Sequence, residues 1–193
     1  MIPNGFLRTD KEPFLEPKLR NARIRRVKEL IKHNSVVCDI GCGSPPEFLL
    51  RVSKNIKQGV GIDKSIKNTV LGNIILKAHH VKTTIPFKES SFDHVTMLAI
   101  LEHFENPERV LIECNRILKK RGSLIITTPT PESKFILETL SFKFGLVSTN
   151  EIQDHKRYFS REALRFALKN ANFKKVDIKP FQFGLNTLAI AYK

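Results

Sequence analysis

Short, continuously apolar runs recur along the chain, and the intervals between them leave room for helices. Five such runs, at 35–40, 59–62, 74–78, 92–99 and 123–128, are candidate strands. Because they are apolar throughout rather than alternating, they predict strands buried on both faces, as in a parallel sheet. Two extended segments, 173–180 and 186–192, predict a C-terminal antiparallel hairpin. The pattern therefore predicts an α/β fold with a doubly wound, mostly parallel seven-stranded sheet.

Three segments have the periodicity of amphipathic helices. The first covers 18–33, where apolar residues recur at helical spacing. The second has Asn106 as its predicted N-cap and Pro107 in its first turn. The third begins at Ser160 and carries an apolar stripe of alanines and leucines. Helices between successive strands are what a doubly wound sheet requires.

A chain of 193 residues has room for one domain with a full core. We expect residues 1–193 to form a single domain, with an irregular arm over 1–17. The Phe-rich segment 131–159 predicts a lid over an acceptor pocket. No apolar run has the length of a membrane helix, and the first residues lack a signal-peptide core. The three cysteines lack metal-ligand spacing, so no metal site is expected, and they form no disulfide framework, which favours a cytoplasmic protein.

Basic residues give the chain a net charge of +14, and they are concentrated towards its two ends. Residues 1–33 carry 9 basic and 4 acidic side chains, and residues 134–193 carry 11 and 5. Such a surface attracts RNA, anionic lipid or an anionic small molecule. Because the chain has no arginine-rich tract or basic–aromatic repeat, nucleic-acid binding is possible but not favoured.

A glycine turn follows the first predicted strand, in the stretch VVCDIGCGSPPEF (36–48). Glycine lets the backbone pass close to a ligand, because it has no Cβ. Asp39 precedes Gly41 and Gly43, and Asp63 ends the next strand 22 residues after Gly41. A carboxylate at that spacing can accept both hydroxyls of a ribose. The turn therefore predicts a site for an adenosine-containing cofactor.

The two prolines after the turn discriminate between such cofactors. The pyrophosphate of a dinucleotide needs free backbone N–H groups at the start of the next helix. Pro45 and Pro46 have no N–H, and Glu47 adds a negative charge beside them. This favours a cofactor without phosphate, such as S-adenosylmethionine, and disfavours a nicotinamide oxidoreductase.

Together, these stretches resemble a class I S-adenosylmethionine-dependent methyltransferase of the small-molecule branch. The resemblance rests on VVCDIGCGSP, on GVGIDKS, and on TIPFKESSFDHVTMLAILEHFENPERVLIECNRILKKRGSLIITTP across the middle of the chain. It covers roughly residues 19–192 and implies a Rossmann-like fold. A weaker similarity over DHKRYFSREAL (154–164) is to relatives that act on polysaccharide precursors, lipids or other metabolites.

The resemblance also implies which residues hold the cofactor. Eight positions correspond to cofactor-binding positions of the family: Asp39, Gly41, Cys42, Gly43, Asp63, Lys64, Val81 and Ala99. Asp63 would hold the ribose, and the glycine turn would line the methionine moiety. At Val81 the family often has an acid that contacts the adenine amine, so His80 or the backbone of Lys82 would substitute here. The third loop glycine of the family is also missing.

Histidines are the candidate catalytic residues, because a hydroxyl acceptor benefits from a base with a pKa near neutrality. His103 follows the fourth predicted strand at the carboxyl edge of the sheet. His155 belongs to the late segment predicted to form the acceptor wall. Methyl transfer otherwise needs chiefly the alignment of the acceptor with the methyl group.

Methyl transfer to a small-molecule, lipid or sugar-linked acceptor is the function that these features predict. One alternative is a methyltransferase that acts on RNA or protein through its basic flanks. Another is a non-catalytic S-adenosylmethionine-binding module, which the valine at position 81 leaves open.

Overall fold

The computed structural model describes residues 13–133 and 156–193, which build one eight-stranded sheet. The strands are β1 (Val36–Ile40), β2 (Gln58–Asp63), β3 (Thr69–Leu71), β4 (Ile74–Ala78), β5 (Phe92–Leu98), β6 (Leu118–Pro129), β7 (Lys175–Phe181) and β8 (Asn186–Tyr192). The helices are α1 (Glu16–Lys28), α2 (Glu47–Val52), α3 (Pro107–Ile117) and α4 (Arg161–Asn170). The order across the sheet is β3-β4-β2-β1-β5-β6-β8-β7.

Parallel pairing joins the five central strands, β4, β2, β1, β5 and β6. The C-terminal hairpin β7–β8 pairs antiparallel within itself and onto β6. The predicted fold class is confirmed, with one strand more than the seven expected. The additional strand, β3, covers only three residues and pairs antiparallel with β4 after a turn at Gly72.

Helices cover both faces of the sheet, as the doubly wound prediction requires. Helices α3 and α4 close the larger core cluster, which includes Val110, Leu111, Leu164 and Leu168. Helices α1 and α2 close the second cluster on the other face. Since the five parallel strands all end at one edge, the loops that follow them converge there.

Two predicted helix boundaries differ from those observed. Helix α1 covers Glu16–Lys28 rather than 18–33. Beyond it, the N–H groups of Leu30 and Ile31 bond to carbonyl oxygens three residues earlier, as in turns, and the α-helical pattern ends. Asn106 occupies the N-cap position of α3 as predicted, but its side chain makes no capping hydrogen bond. Most of the predicted arm and lid, 1–12 and 134–155, lies outside the described residues.

The helices were also compared with the length and apolar character of a membrane-spanning helix. Within residues 13–133 and 156–193, none of the helices combines the length and the apolar character needed to span a bilayer.

Candidate functional site

A cleft of about 400 Å³ lies at the carboxyl edge of the parallel strands. Its walls come from the ends of β1 and β2 and from the loops after β4 and β5. The lining residues are Ile40, Gly41, Ile62, Asp63, Lys64, His79, His80, Val81, Lys82, Ile100, His103, Phe104, Glu105, Asn106 and Lys156. The glycine turn and the spaced carboxylate of the sequence prediction therefore meet in one cleft.

The glycine turn is held against β2 and the loop after β5. Gly41 has a φ of +70°, and its N–H donates to the carbonyl oxygen of Ile62 at 2.8 Å. A Cβ at Gly41 would lie 2.5 Å from Cγ1 of Ile100. Only glycine fits both this conformation and this close approach. The turn therefore presents bare backbone to the cleft.

Asp63 joins the two loops that border the cleft. Its Oδ2 accepts a hydrogen bond from the N–H of Gly43 at 3.0 Å, and its Oδ1 accepts one from the N–H of Ser65 at 2.8 Å. These bonds fix the orientation of the carboxylate, and each oxygen retains a lone pair for a further donor. The carboxylate is therefore pre-oriented and can accept two further hydrogen bonds from donors in the cleft.

Asp39 lies deeper, beneath the glycine turn, and is 2% exposed. The hydroxyl of Thr96 on β5 donates to its Oδ1 at 2.6 Å. Burial raises the pKa of Asp39 to about 7, and the nearby charge of Asp63 adds to this rise while the Thr96 hydrogen bond opposes it. Asp39 therefore changes its charge close to neutral pH.

The residues that precede and begin α2 supply few donors for a phosphate. Pro45 and Pro46 have no N–H, and the N–H of Glu47 donates to the carbonyl oxygen of Pro45 at 2.9 Å. The Glu47 carboxylate also pairs with Arg20 of α1 at 3.0 Å. The geometry agrees with the sequence argument that a pyrophosphate would find poor chemistry here.

Not all predicted cofactor residues reach the cleft surface. Gly41, Asp63, Lys64 and Val81 line it, as do His79, His80 and Lys82 beside Val81. The other four, Asp39, Cys42, Gly43 and Ala99, are set back from the lining. At the position after β5 the wall is formed by Ile100, whereas the N–H of Ala99 donates to the carbonyl oxygen of Thr127.

Of the predicted catalytic residues, His103 lines the cleft from a short 3₁₀ turn over Leu101–His103. His155 lies outside the described residues, but the following residue, Lys156, lines the cleft. The N–H of Lys156 donates to the carbonyl oxygen of Glu102 at 2.9 Å, which ties this segment to the loop that carries His103.

Burial raises the pKa of the Cys42 thiol, so Cys42 stays neutral and is not a nucleophile.

Sequence reasoning missed several residues that shape the site. In the sequence, Thr96 is only a polar residue within an apolar run, and nothing there indicates its hydrogen bond to Asp39. Ile100 lines the cleft without any local signal, and Asn106 was predicted only as a helix cap. Glu102 is buried and accepts a hydrogen bond from Thr128 at 3.0 Å, although its charge gave no hint of burial.

Comparison with known proteins identifies the family by sequence. The family model for a methyltransferase domain matches residues 14–178. The ubiquinone/menaquinone biosynthesis C-methyltransferase UbiE of Campylobacter jejuni is 27% identical over 203 residues, with 90% of this chain and 86% of the relative covered. The demethylmenaquinone methyltransferase of Thermotoga maritima is 27% identical, with 90% and 81% covered.

Solved structures show that the fold is shared as well. A methyltransferase of Thermotoga maritima, described as a possible histamine N-methyltransferase, superposes with a TM-score of 0.69 at 19% identity. The alignment covers 93% of this chain and 92% of that one. The predicted enzyme class and the predicted cofactor, S-adenosylmethionine, are confirmed, and the chain belongs to the methyltransferase-domain family.

Proposed function

We propose that this enzyme methylates a small, apolar acceptor of the quinol class, with Asp63 and the glycine turn holding S-adenosylmethionine and His103 serving the acceptor. The observation that carries the proposal is the single cleft in which Asp63, Gly41 and His103 meet. The small-molecule acceptor class follows the curated relatives, which are named for quinone biosynthesis. We further propose that the enzyme acts in the cytoplasm, since its three cysteines are buried free thiols.

The residues present fit the cofactor. S-adenosylmethionine supplies an electrophilic methyl group on a positively charged sulfonium. Asp63 accepts hydrogen bonds from the ribose hydroxyls, and the bare backbone at Gly41 permits close approach of the methionine moiety. Val81, His80 and Lys82 line the same cleft as Asp63, and we assign the adenine to this part of the wall. Asp39 stabilises positive charge from beneath the turn.

Proton removal is the other requirement of the proposed reaction. When a methyl group joins a ring carbon of a quinol, that carbon must lose its proton. His103 lies on the cleft wall beside Phe104 and Ile100, and its imidazole accepts this proton. The apolar side chains of Ile100 and Phe104 offer contact area to a flat ring. A reduced ring is required, because the electron-rich quinol carbon is the nucleophile.

The test is an acceptor assay with S-adenosylmethionine carrying a labelled methyl group. We expect label in a naphthoquinol or benzoquinol with a free ring position, and a mass gain of one methyl group on a ring carbon. We expect His103→Gln to lower kcat about 100-fold while cofactor affinity changes by less than about threefold. Labelling of RNA but of no quinol would overturn the proposed acceptor class.

A pH effect on cofactor binding follows from Asp39. The positive charge of the cofactor favours the carboxylate form, so its binding lowers the pKa of Asp39 from about 7 and releases a proton. Affinity therefore falls on acidification through neutrality, and we expect it to be about tenfold weaker at pH about 6 than at pH about 8. Calorimetry in buffers of different ionisation enthalpy measures both the affinity and the released proton.

The variant Asp39→Asn is the control for this pH effect, because it keeps the size of the side chain and removes its titration. If Asp39→Asn kept the full pH slope, another group in the cleft would be its source and the assignment to Asp39 would be wrong.

A further inference from the structure

We propose that the surface formed by the exposed face of α1 and the tip of the β7–β8 hairpin binds an anionic lipid bilayer. We call it the apolar–basic surface and define it as Phe14, Phe183, Lys18, Arg25, Lys28 and Lys179. The binding itself does not depend on the acceptor proposed above, whereas its purpose, access to a lipid-soluble acceptor, rests on that proposal.

Two exposed phenylalanines supply the apolar part of this surface. Phe183 at the tip of the hairpin is fully exposed, at 106%, and Phe14 before α1 is 65% exposed. The tip has an unusual backbone, since Gln182 and Phe183 both have positive φ, at 52° and 57°. This conformation is unfavourable for residues with a Cβ, and Phe183 gains no burial in compensation. Backbone strain at a residue that gains no burial points to a functional role for Phe183.

The two phenylalanines belong to neighbouring parts of the fold. Gln182 of the hairpin tip donates from Nε2 to the carbonyl oxygen of Leu19 in α1 at 2.8 Å. Phe14 precedes Leu19 by five residues, and helical geometry places it within roughly 10 Å of that contact. The hairpin tip and the N-terminal end of α1 therefore form a continuous surface.

Exposed basic side chains surround the phenylalanines. Helix α1 carries six basic residues and one acidic residue. Lys18, Arg25 and Lys28 are exposed and follow each other at intervals of seven and three, so they share one face of the helix. The Nζ of Lys18 lies 4.0 Å from the ring centre of Phe14. On β7, Lys179 is exposed and is paired directly with Leu188 of β8. Leu188 packs in the core cluster under α1, so Lys179 lies on the same face of the sheet as α1.

This combination matches the chemistry of an anionic membrane surface. Aromatic side chains insert at the boundary between headgroups and acyl chains, while basic side chains attract the anionic headgroups. Basic residues alone would equally suit RNA, which is recognised chiefly through phosphate contacts. The two fully or largely exposed phenylalanines beside the basic helix face favour the bilayer.

The surface also lies on the correct side of the molecule. The N–H of Thr130, just after β6, donates to the carbonyl oxygen of Leu185 at 3.1 Å, and its hydroxyl donates to that of Gly184 at 3.0 Å. These bonds tie the hairpin tip to the carboxyl edge of the sheet, the edge that carries the cleft. A bilayer bound there would face the cleft side of the enzyme.

Vesicle co-sedimentation of the full chain tests the proposal. We expect the enzyme to bind vesicles of phosphatidylcholine that contain about one quarter phosphatidylglycerol, to bind pure phosphatidylcholine weakly, and to dissociate at about 0.5 M salt. We expect the double variant Phe14→Ser/Phe183→Ser to bind about tenfold more weakly. Lys18→Glu/Arg25→Glu should weaken binding by a similar factor or more.

Matched substitutions elsewhere serve as controls. Phe166 on α4 is 69% exposed but lies on the opposite face of the sheet, so Phe166→Ser should bind vesicles as the wild type does. Lys57 is exposed at the amino end of β2, and Lys57→Glu is the charge control. Cofactor affinity, measured in parallel, should be unchanged in all these variants. Equal binding to neutral and anionic vesicles, equal losses in Phe166→Ser, or binding to RNA but not to vesicles would overturn the proposal.

Discussion

Replacement of Asp63 by asparagine is expected to weaken the binding of S-adenosylmethionine by about 100-fold or more. The variant loses charge-assisted hydrogen bonds to the ribose hydroxyls, each worth about 1.5–3 kcal/mol. It also presents an amide NH₂ to one of the two N–H groups, of Gly43 or Ser65, that now donate to the carboxylate. Isothermal titration calorimetry at a fixed pH measures the loss.

Asp177→Asn is the matched control for this variant. Asp177 lies on the outer strand β7 and pairs with Lys175 at 3.4 Å, so its replacement removes a carboxylate without touching the cleft. Its cofactor affinity should equal that of the wild type. An Asp63→Asn protein that bound S-adenosylmethionine within about threefold of the wild type would contradict the ribose assignment.

The second large effect is expected from Gly41→Ala. The added Cβ would lie 2.5 Å from Cγ1 of Ile100, and the φ of +70° is unfavourable for alanine. Conformational strain of about 1–2 kcal/mol and overpacking of about 1–3 kcal/mol together lower the free energy of unfolding by about 2–5 kcal/mol. Because Ile100 lines the cleft, we also expect cofactor affinity to fall at least about tenfold.

Gly72→Ala separates the two causes. Gly72 has a φ of +59°, but a Cβ there would meet nothing within 4 Å. This variant therefore carries the strain without the clash, and should lose only about 1–2 kcal/mol with normal cofactor affinity. Denaturant unfolding and cofactor titration of both proteins give the comparison. Equal stability losses in the two variants would mean that the contact with Ile100 is not as close as described.

The fold and the cofactor turn were predictable because they depend on local sequence. Apolar runs that are buried on both faces, and the Asp-Ile-Gly-Cys-Gly turn between a strand and a helix, have direct structural causes. The position of Asp63 followed as well, since the ends of adjacent parallel strands meet at one edge of the sheet. The contact of Asp63 with Gly43 and Ser65 confirms that the two loops meet.

The features that were missed depend on tertiary contacts. The capping bond of Asn106 is absent, and the residue lines the cleft instead. The pair of Asp39 and Thr96 joins two strands that are 57 residues apart in sequence, and no local pattern records it. Strand β3 has three residues and forms only because the turn at Gly72 folds it back onto β4. Such features depend on contacts that form only when the sheet is assembled, and the helix or strand propensity of the local sequence does not record them.

Calorimetric titration of the wild-type protein tests the central claim most directly, with S-adenosylmethionine in one series and an oxidised nicotinamide dinucleotide in the other. The geometry predicts saturable binding of S-adenosylmethionine in the micromolar range. It predicts no binding of the dinucleotide, because Pro45 and Pro46 supply no N–H at the start of α2 and the N–H of Glu47 is already bonded to Pro45. Binding of the dinucleotide in preference to S-adenosylmethionine, or of neither up to millimolar concentration, would contradict the account.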